Sequence, residues 1–160
     1  MVDKISVHRI KLLHPKLRDE ANNILELADK SLGKAELRFT HTLRTFQEQD
    51  MLYSIGRTTK GKIVTSARGG FSYHNYGLAI DICLLVDGKA NWDVTADYDR
   101  DGKSDWTEVV SIFKHHGWEW GGDWRFYDPP HFQKTFGKSI AELRSLKLNG
   151  KVDKGGFVLF

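Results

Sequence analysis

Residues 77–86 read GLAIDICLLV, and Asp81 is the one charged or polar side chain that interrupts the apolar run apart from the thiol of Cys83. A run of this length without alternation fits a central strand covered on both faces. An ionised carboxylate in such a strand costs several kcal/mol unless a cation or hydrogen bonds offset it. Asp81 therefore demands a partner, and the rest of the chain can be searched for one.

His74 lies just upstream, beyond Asn75, Tyr76 and Gly77, so a bend there can bring its imidazole to Asp81. Residues 57–76 are rich in Gly, Ser, Thr and basic side chains and lack periodicity, which predicts a long surface loop of the kind that tends to be functional. Before it, Thr45 and Glu48 form a capping box for a helix over 46–55 that Gly56 closes. In ELRFTHTLR, residues 36–44, Leu37, Phe39, His41 and Leu43 share one face and Arg38, Thr40, Thr42 and Arg44 the other, so a half-buried strand is expected to end at Arg44. Leu17, Ala21, Ile24, Leu25, Ala28 and Leu32 form one stripe of a packing helix, with Gly33 as its expected left-handed cap.

Downstream, residues 90–105 read as a loop. Asp105 and Glu108 are expected to cap a helix carrying Trp106, Val109, Val110, Ile112 and Phe113 up to Gly117. GWEWGGDWRFYDPPHF, residues 117–132, predicts a strand entering an irregular loop and offers His131 as a third polar partner for Asp81. Ser139 and Glu142 announce a last helix to about residue 146, followed by a Gly/Lys-rich tail ending in FVLF. Two imidazoles and one carboxylate, with a fourth position left for water, make a donor set suited to catalytic zinc, and the absence of cysteine ligands argues against a closed structural site. The pattern is α+β: a small central antiparallel sheet flanked by helices.

Composition narrows the classes. The chain has 160 residues, enough for one domain, taken as 1–160, and an ordinary apolar content of 40%. No segment approaches the roughly 18 apolar residues of a membrane span. MVDKISVHRIKLLHPK scatters charges where a Sec signal needs an unbroken apolar stretch, so cytoplasmic synthesis is expected. The single cysteine, Cys83, forms no internal disulfide and reads as a small core residue. A net charge of +3, from 24 basic and 21 acidic side chains spread along the chain, is too mild to argue for nucleic acid, though it suits approach to an anionic polymer.

Two ordered motifs carry a family likeness. SYHNYGLAID, residues 72–81, matches Ser-x-His-x-x-Gly-x-Ala-x-Asp, and DPPHF, residues 128–132, matches an acidic-x-x-His-Phe element. With the connecting blocks LRTFQEQDMLYSIGRT, KIVTSARGG and WEWGGDW, the chain from about 37 to 136 resembles metallopeptidases of the D-Ala-D-Ala carboxypeptidase superfamily, whose architecture hedgehog-type domains share. It is most similar to L-alanyl-D-glutamate endopeptidases among phage endolysins and their bacterial relatives. The resemblance implies zinc held by His74, Asp81 and His131, Asp128 as catalytic acid/base, and Arg44 as a residue touching substrate. Zinc lowers the pKa of bound water to roughly 7, and a carboxylate beside it can relay the proton to the leaving amine. Asp128 can alternatively cap the turn before Pro129, and Arg44 can simply form a surface ion pair.

The implied activity is hydrolysis of the peptidoglycan stem, at the L-alanyl-D-glutamate bond. The alternatives are a D,D- or L,D-carboxypeptidase, or a zinc-containing domain that binds wall peptide or a partner without cutting it. A monomer is expected, reaching the wall through a holin lesion if phage-encoded. Gln47 and Ser72 sit in family blocks as supporting residues. Trp118, Trp120 and Trp124 are core or line a groove. His115 and His116 suit a helix end, while His8, His14 and His41 lack partners at metal spacing. Finally, DYDRDGKSDWTE sets Asp97, Asp99, Asp101, Asp105 and Glu108 at the spacing of a calcium-binding loop, the alternative being a solvated acidic turn.

Overall fold

The structure, a computed structural model, describes residues 2–160. In chain order it contains α1 (Lys4–Ile10), α2 (Arg18–Ser31), β1 (Glu36–His41), α3 (Phe46–Ser54), β2 (Ala79–Val86), β3 (Lys89–Asn91), α4 (Asp105–His115), β4 (Glu119–Trp120), β5 (His131–Gln133) and α5 (Ile140–Leu148). The apolar run is indeed the central strand: the sheet order is β1-β2-β5-β4, every pairing is antiparallel, and β3 folds back onto β2.

Strand alternation sorts the side chains into two roles. Ile80, Ile82 and Leu84 of β2, Leu37 and Phe39 of β1 and Phe132 of β5 enter one buried cluster with Ala21, Ile24 and Ala28 of α2 and Trp106, Val109 and Phe113 of α4. The Phe113 ring stacks on Phe132 at 4.0 Å and lies 6.2 Å from Phe39, so α4 grips the sheet through its aromatic side chains. Each such side chain contributes on the order of 1.5–3 kcal/mol on burial. Asp81, His131, Gln133 and Glu119 take the alternate positions, on the opposite face of the sheet.

Several expectations are corrected. Strand β1 ends at His41 rather than Arg44, with a register irregularity after Phe39 that turns His41 outward and buries Thr42. The chain leaves the sheet there because Arg44 N donates to His74 O at 3.0 Å, a tertiary bond that replaces the ladder. Gly33 is not left-handed; its N–H donates to Asp99 Oδ2 at 3.1 Å, and a Cβ would crowd that carboxylate. Helix α4 is capped by Ser104, whose hydroxyl accepts from Thr107 N, and Asp105 is already inside the helix. Helix α5 runs on to Leu148.

Two elements escaped the pattern. Helix α1 is one short piece, buried at Ser6 and Ile10, whose N-cap, Asp3, accepts from Ser6 N and also pairs with Arg38 at 2.7 Å. The FVLF tail docks: Val158 is buried, bridges to Val152, and its carbonyl accepts from His14 Nε2 at 2.8 Å, with Phe157 and Phe160 against the His14 ring. His14 therefore has a structural task, as expected.

Candidate active site

Asp81 and His131 meet because β2 and β5 pair in a register that sets them directly opposite one another. His74 reaches them from a 3-10 turn, Tyr73–Tyr76, which ends in Gly77 at φ 68°, a left-handed value that glycine adopts without strain. Ser72 and Asn75 form a capping box on that turn. Asn75 does more: its Oδ1 accepts from Gly70 N and Ser72 N while its Nδ2 donates to Arg44 O, tying loop, turn and β1 exit together.

Three donor atoms converge. His74 Nε2 lies 3.2 Å and His131 Nδ1 3.1 Å from Asp81 Oδ1, and one ligand atom from each residue lies within 4.8 Å of the others. The imidazoles sit edge to face at 5.1 Å. His74 Nδ1 donates to Thr42 O at 2.7 Å, which leaves Nε2 as the nitrogen turned to the cluster. That Nε2 is buried without a hydrogen-bond partner, a costly state that a bound cation would relieve. Arg44 Nη2 donates to Asp81 Oδ2 at 3.1 Å, so each carboxylate oxygen is already directed to a separate task.

The electrostatics agree with a cation seat. Burial pushes the Asp81 carboxyl up, but the imidazoles of His74 and His131 outweigh it and hold the group well below the usual carboxylate range. Burial depresses His131, and the hydrogen bond to Asp81 overcomes it to leave the imidazole raised. Asp128 is pushed above the ordinary carboxyl value, chiefly by burial, which suits a group that must both take and give a proton.

Asp128 lines the same cavity of about 590 Å³ as Arg44, His74, Asp81 and His131 without joining the three-donor cluster. Its main chain is pinned: Asp128 N donates to Gly121 O, and His131 N donates to Asp128 O. Gly121 is obligatory there, since a methyl group would collide with the Asp128 carbonyl. Trp124 tilts over His131 at 5.2 Å, Trp120 donates to Pro129 O, and Trp118 is core, so the three tryptophans split between groove, buttress and interior. On the other side of Arg44 opens a second groove of about 690 Å³, with Arg9, His41, Leu12, Leu43 and Met51 in its walls.

Other expected residues fare differently. Gln47 is exposed, and the working glutamine is Gln49, fully buried, which accepts from Arg44 Nη1 at 3.2 Å and donates to Ala67 O. The available signal was a polar residue on the helical stripe of Phe46 and Leu52. Ser72 caps the turn rather than touching the His74 ring. Gln133, bonded to His131, was also missed; its signal was alternation, two positions from His131 on one strand. His116 bonds back to Ile112 O at the end of α4, as a helix-end histidine should. Cys83 is buried.

In the acidic loop, Asp97, Asp99 and Asp105 offer oxygens within 4.8 Å of one another. The five-carboxylate set does not assemble: Glu108 accepts from Ser31 Oγ of α2 at 2.7 Å, and Asp101 accepts from Lys103 N. Most of the remaining oxygens accept backbone N–H groups of the loop itself.

An open cleft floored by two imidazoles and a carboxylate, with a raised carboxyl beside them, is the arrangement that a metallopeptidase requires. The model of the family described as D-alanyl-D-alanine carboxypeptidase matches residues 65–134. The chain is 53% identical over 123 residues to the peptidoglycan L-alanyl-D-glutamate endopeptidase CwlK of Bacillus subtilis (strain 168), covering 76% of this chain and 72% of that protein. The fold is similar to that of the Serratia marcescens L-Ala D-Glu endopeptidase ChiX, with a TM-score of 0.55, 24% identity, and coverage of 83% of this chain and 88% of that one. The chain belongs to this family of zinc-dependent peptidases, and it is a hydrolytic enzyme. The alternative of a binding domain that does not cut is thereby overturned. Among the described residues no helix is long and apolar enough to cross a membrane.

Proposed function

We propose that this peptidase hydrolyses the L-alanyl-D-glutamate bond of peptidoglycan stem peptides, with the whole chain, 1–160, acting as one catalytic domain at the bacterial wall. The observation that carries the reading is the convergence of His74 Nε2, Asp81 Oδ1 and His131 Nδ1 beside Asp128, in a chain 53% identical to an enzyme named for that bond. His74, Asp81 and His131 would hold zinc, which supplies a Lewis acid for the scissile carbonyl and acidifies a water molecule.

The chain's own groups do the rest. Asp128 takes a proton from the attacking water as the water oxygen bonds to the carbonyl carbon. It then delivers that proton to the amine as the C–N bond breaks, leaving a carboxylate and a free amino terminus. Arg44 holds Asp81 Oδ2, which keeps Oδ1 aimed at the cluster. Because Arg44 lines both cavities, substrate running past it meets the groove walled by Arg9, Leu12 and Met51, where two guanidinium groups beside an apolar surface suit the carboxylate-bearing part of the stem. Mass spectrometry of products from purified peptidoglycan tests the bond. New D-Glu amino termini are expected; release of free D-Ala with the L-Ala to D-Glu bond intact would make the enzyme a carboxypeptidase.

A further inference from the structure

An imidazole offers a lone pair from only one nitrogen, and the hydrogen bond made by the other nitrogen decides which. His74 has this settled by main chain: Thr42 O can only accept, so His74 carries its proton on Nδ1. His131 has no such carbonyl. Its Nε2 lies 2.9 Å from Gln133 Oε1, an amide that can present either an acceptor or a donor. Presented nitrogen first, the amide would require a lone pair on Nε2 and drive the proton to Nδ1, the atom facing Asp81.

The direction of the amide is set by a third residue. Gln133 Nε2 donates to Glu119 Oε2 at 3.1 Å, and a carboxylate accepts only. Glu119 lies opposite Gln133 in the β4–β5 register, on the same sheet face as His131 and Asp81. Gln133 is buried, 8% exposed, so water does not compete freely for its amide. The chain of donors therefore runs one way, from His131 Nε2–H to Gln133 Oε1 and from Gln133 Nε2–H to Glu119. We propose that Gln133, directed by Glu119, is a positioning residue that holds His131 in the Nε2–H tautomer and so presents Nδ1 to the metal. This rests on the zinc assignment above.

The test measures zinc affinity by competition with a chromophoric chelator, alongside thermal unfolding of the metal-free proteins. Gln133→Leu should weaken zinc by about 10–100-fold, the usual effect of losing a hydrogen bond to a ligand histidine. Glu119→Leu, which changes an exposed residue and leaves the core intact, should weaken it by a smaller factor of about 3–10. Gln133→Glu alone puts two carboxylates face to face and should also bind poorly. The double variant Glu119→Gln, Gln133→Glu restores a one-way chain with the amide and carboxylate exchanged, and should recover affinity to within about threefold of the parent. Zinc affinity unchanged in both leucine variants, or a double variant no better than Gln133→Glu, would overturn the positioning role. A parent that binds no zinc, or binds it as tightly after Asp81→Ala, would overturn the zinc assignment itself and this inference with it.

Discussion

Among the described residues two clusters of potential metal donors stand on different supports, and the difference separates a prepared site from a crowded loop. At Asp81 the donors stand on paired strands and a capped turn, so hydrogen bonds outside the cluster hold each ring and leave its donor atoms to the centre. At Asp97, Asp99 and Asp105 each carboxylate turns an oxygen inward to a backbone N–H of the loop, and Asp99 spends its other oxygen on Gly33 N. One contrast runs through their acidities. Asp81 is held below the usual carboxyl range in spite of burial, because His74 and His131 favour its charge. Asp105 is raised, chiefly by burial, and its Oδ1 has no partner.

The largest effect should follow from removing the prepared side. Asp81→Ala is expected to abolish stoichiometric zinc in metal analysis and to cut hydrolysis of peptidoglycan by more than about 10³-fold, since one imidazole pair alone does not make the site. Zinc retained at parental level would erase the contrast. Next comes Asp128→Asn, which should lower kcat by about 10²–10⁴-fold while zinc content stays at parental level, because Asp128 lines the cleft without being a donor. A smaller loss is expected from Arg44→Met: freed from the guanidinium, Asp81 Oδ2 can rotate, and zinc affinity should fall by about tenfold with a higher KM.

Stability against pH separates the clusters at the smallest scale. With metal removed by chelation, Asp81 contributes stability above its unfolded value near 3.8, and that contribution is lost as pH falls through its lower folded value. Asp81→Asn should therefore destabilise the metal-free protein at neutral pH and converge with the parent in strong acid. Asp105 has the opposite sign: its folded value is raised above 3.8, so its contribution is present below that pH and lost as pH rises through the folded value. Asp105→Asn should raise Tm by about 2–4 °C at pH 7 and converge with the parent below about pH 4. A calcium-induced gain in the parent's Tm that this variant lacks would instead make the loop a second cation site.

The working side was visible in the sequence where chemistry and local pattern coincided. A charge inside an apolar run marked Asp81, and the two short motifs brought His74, His131 and Asp128 with it. The capping boxes at Thr45 and Ser139 were equally readable, because caps are contacts between residues three apart. Residues whose partners lie far along the chain were not. Gln49 looks no different from Gln47 until the loop at Ala67 folds onto it. Spacing alone grouped Glu108 with the acidic loop, whereas packing of α2 on α4 gave it to Ser31.

By itself the sequence determined the α+β class and the central strand with Asp81 inside it, because burial cost and side-chain period are properties of short stretches, while His74 and His131 were legible through the family motifs. Tertiary structure decided which nitrogen of each imidazole faces the centre, that Arg44 is spoken for by Asp81, and that Gln133 and Glu119 follow His131 in one chain of hydrogen bonds. Those facts depend on strand register and on where β1 leaves the sheet, and register is set by the packing of the whole core rather than by any segment within it.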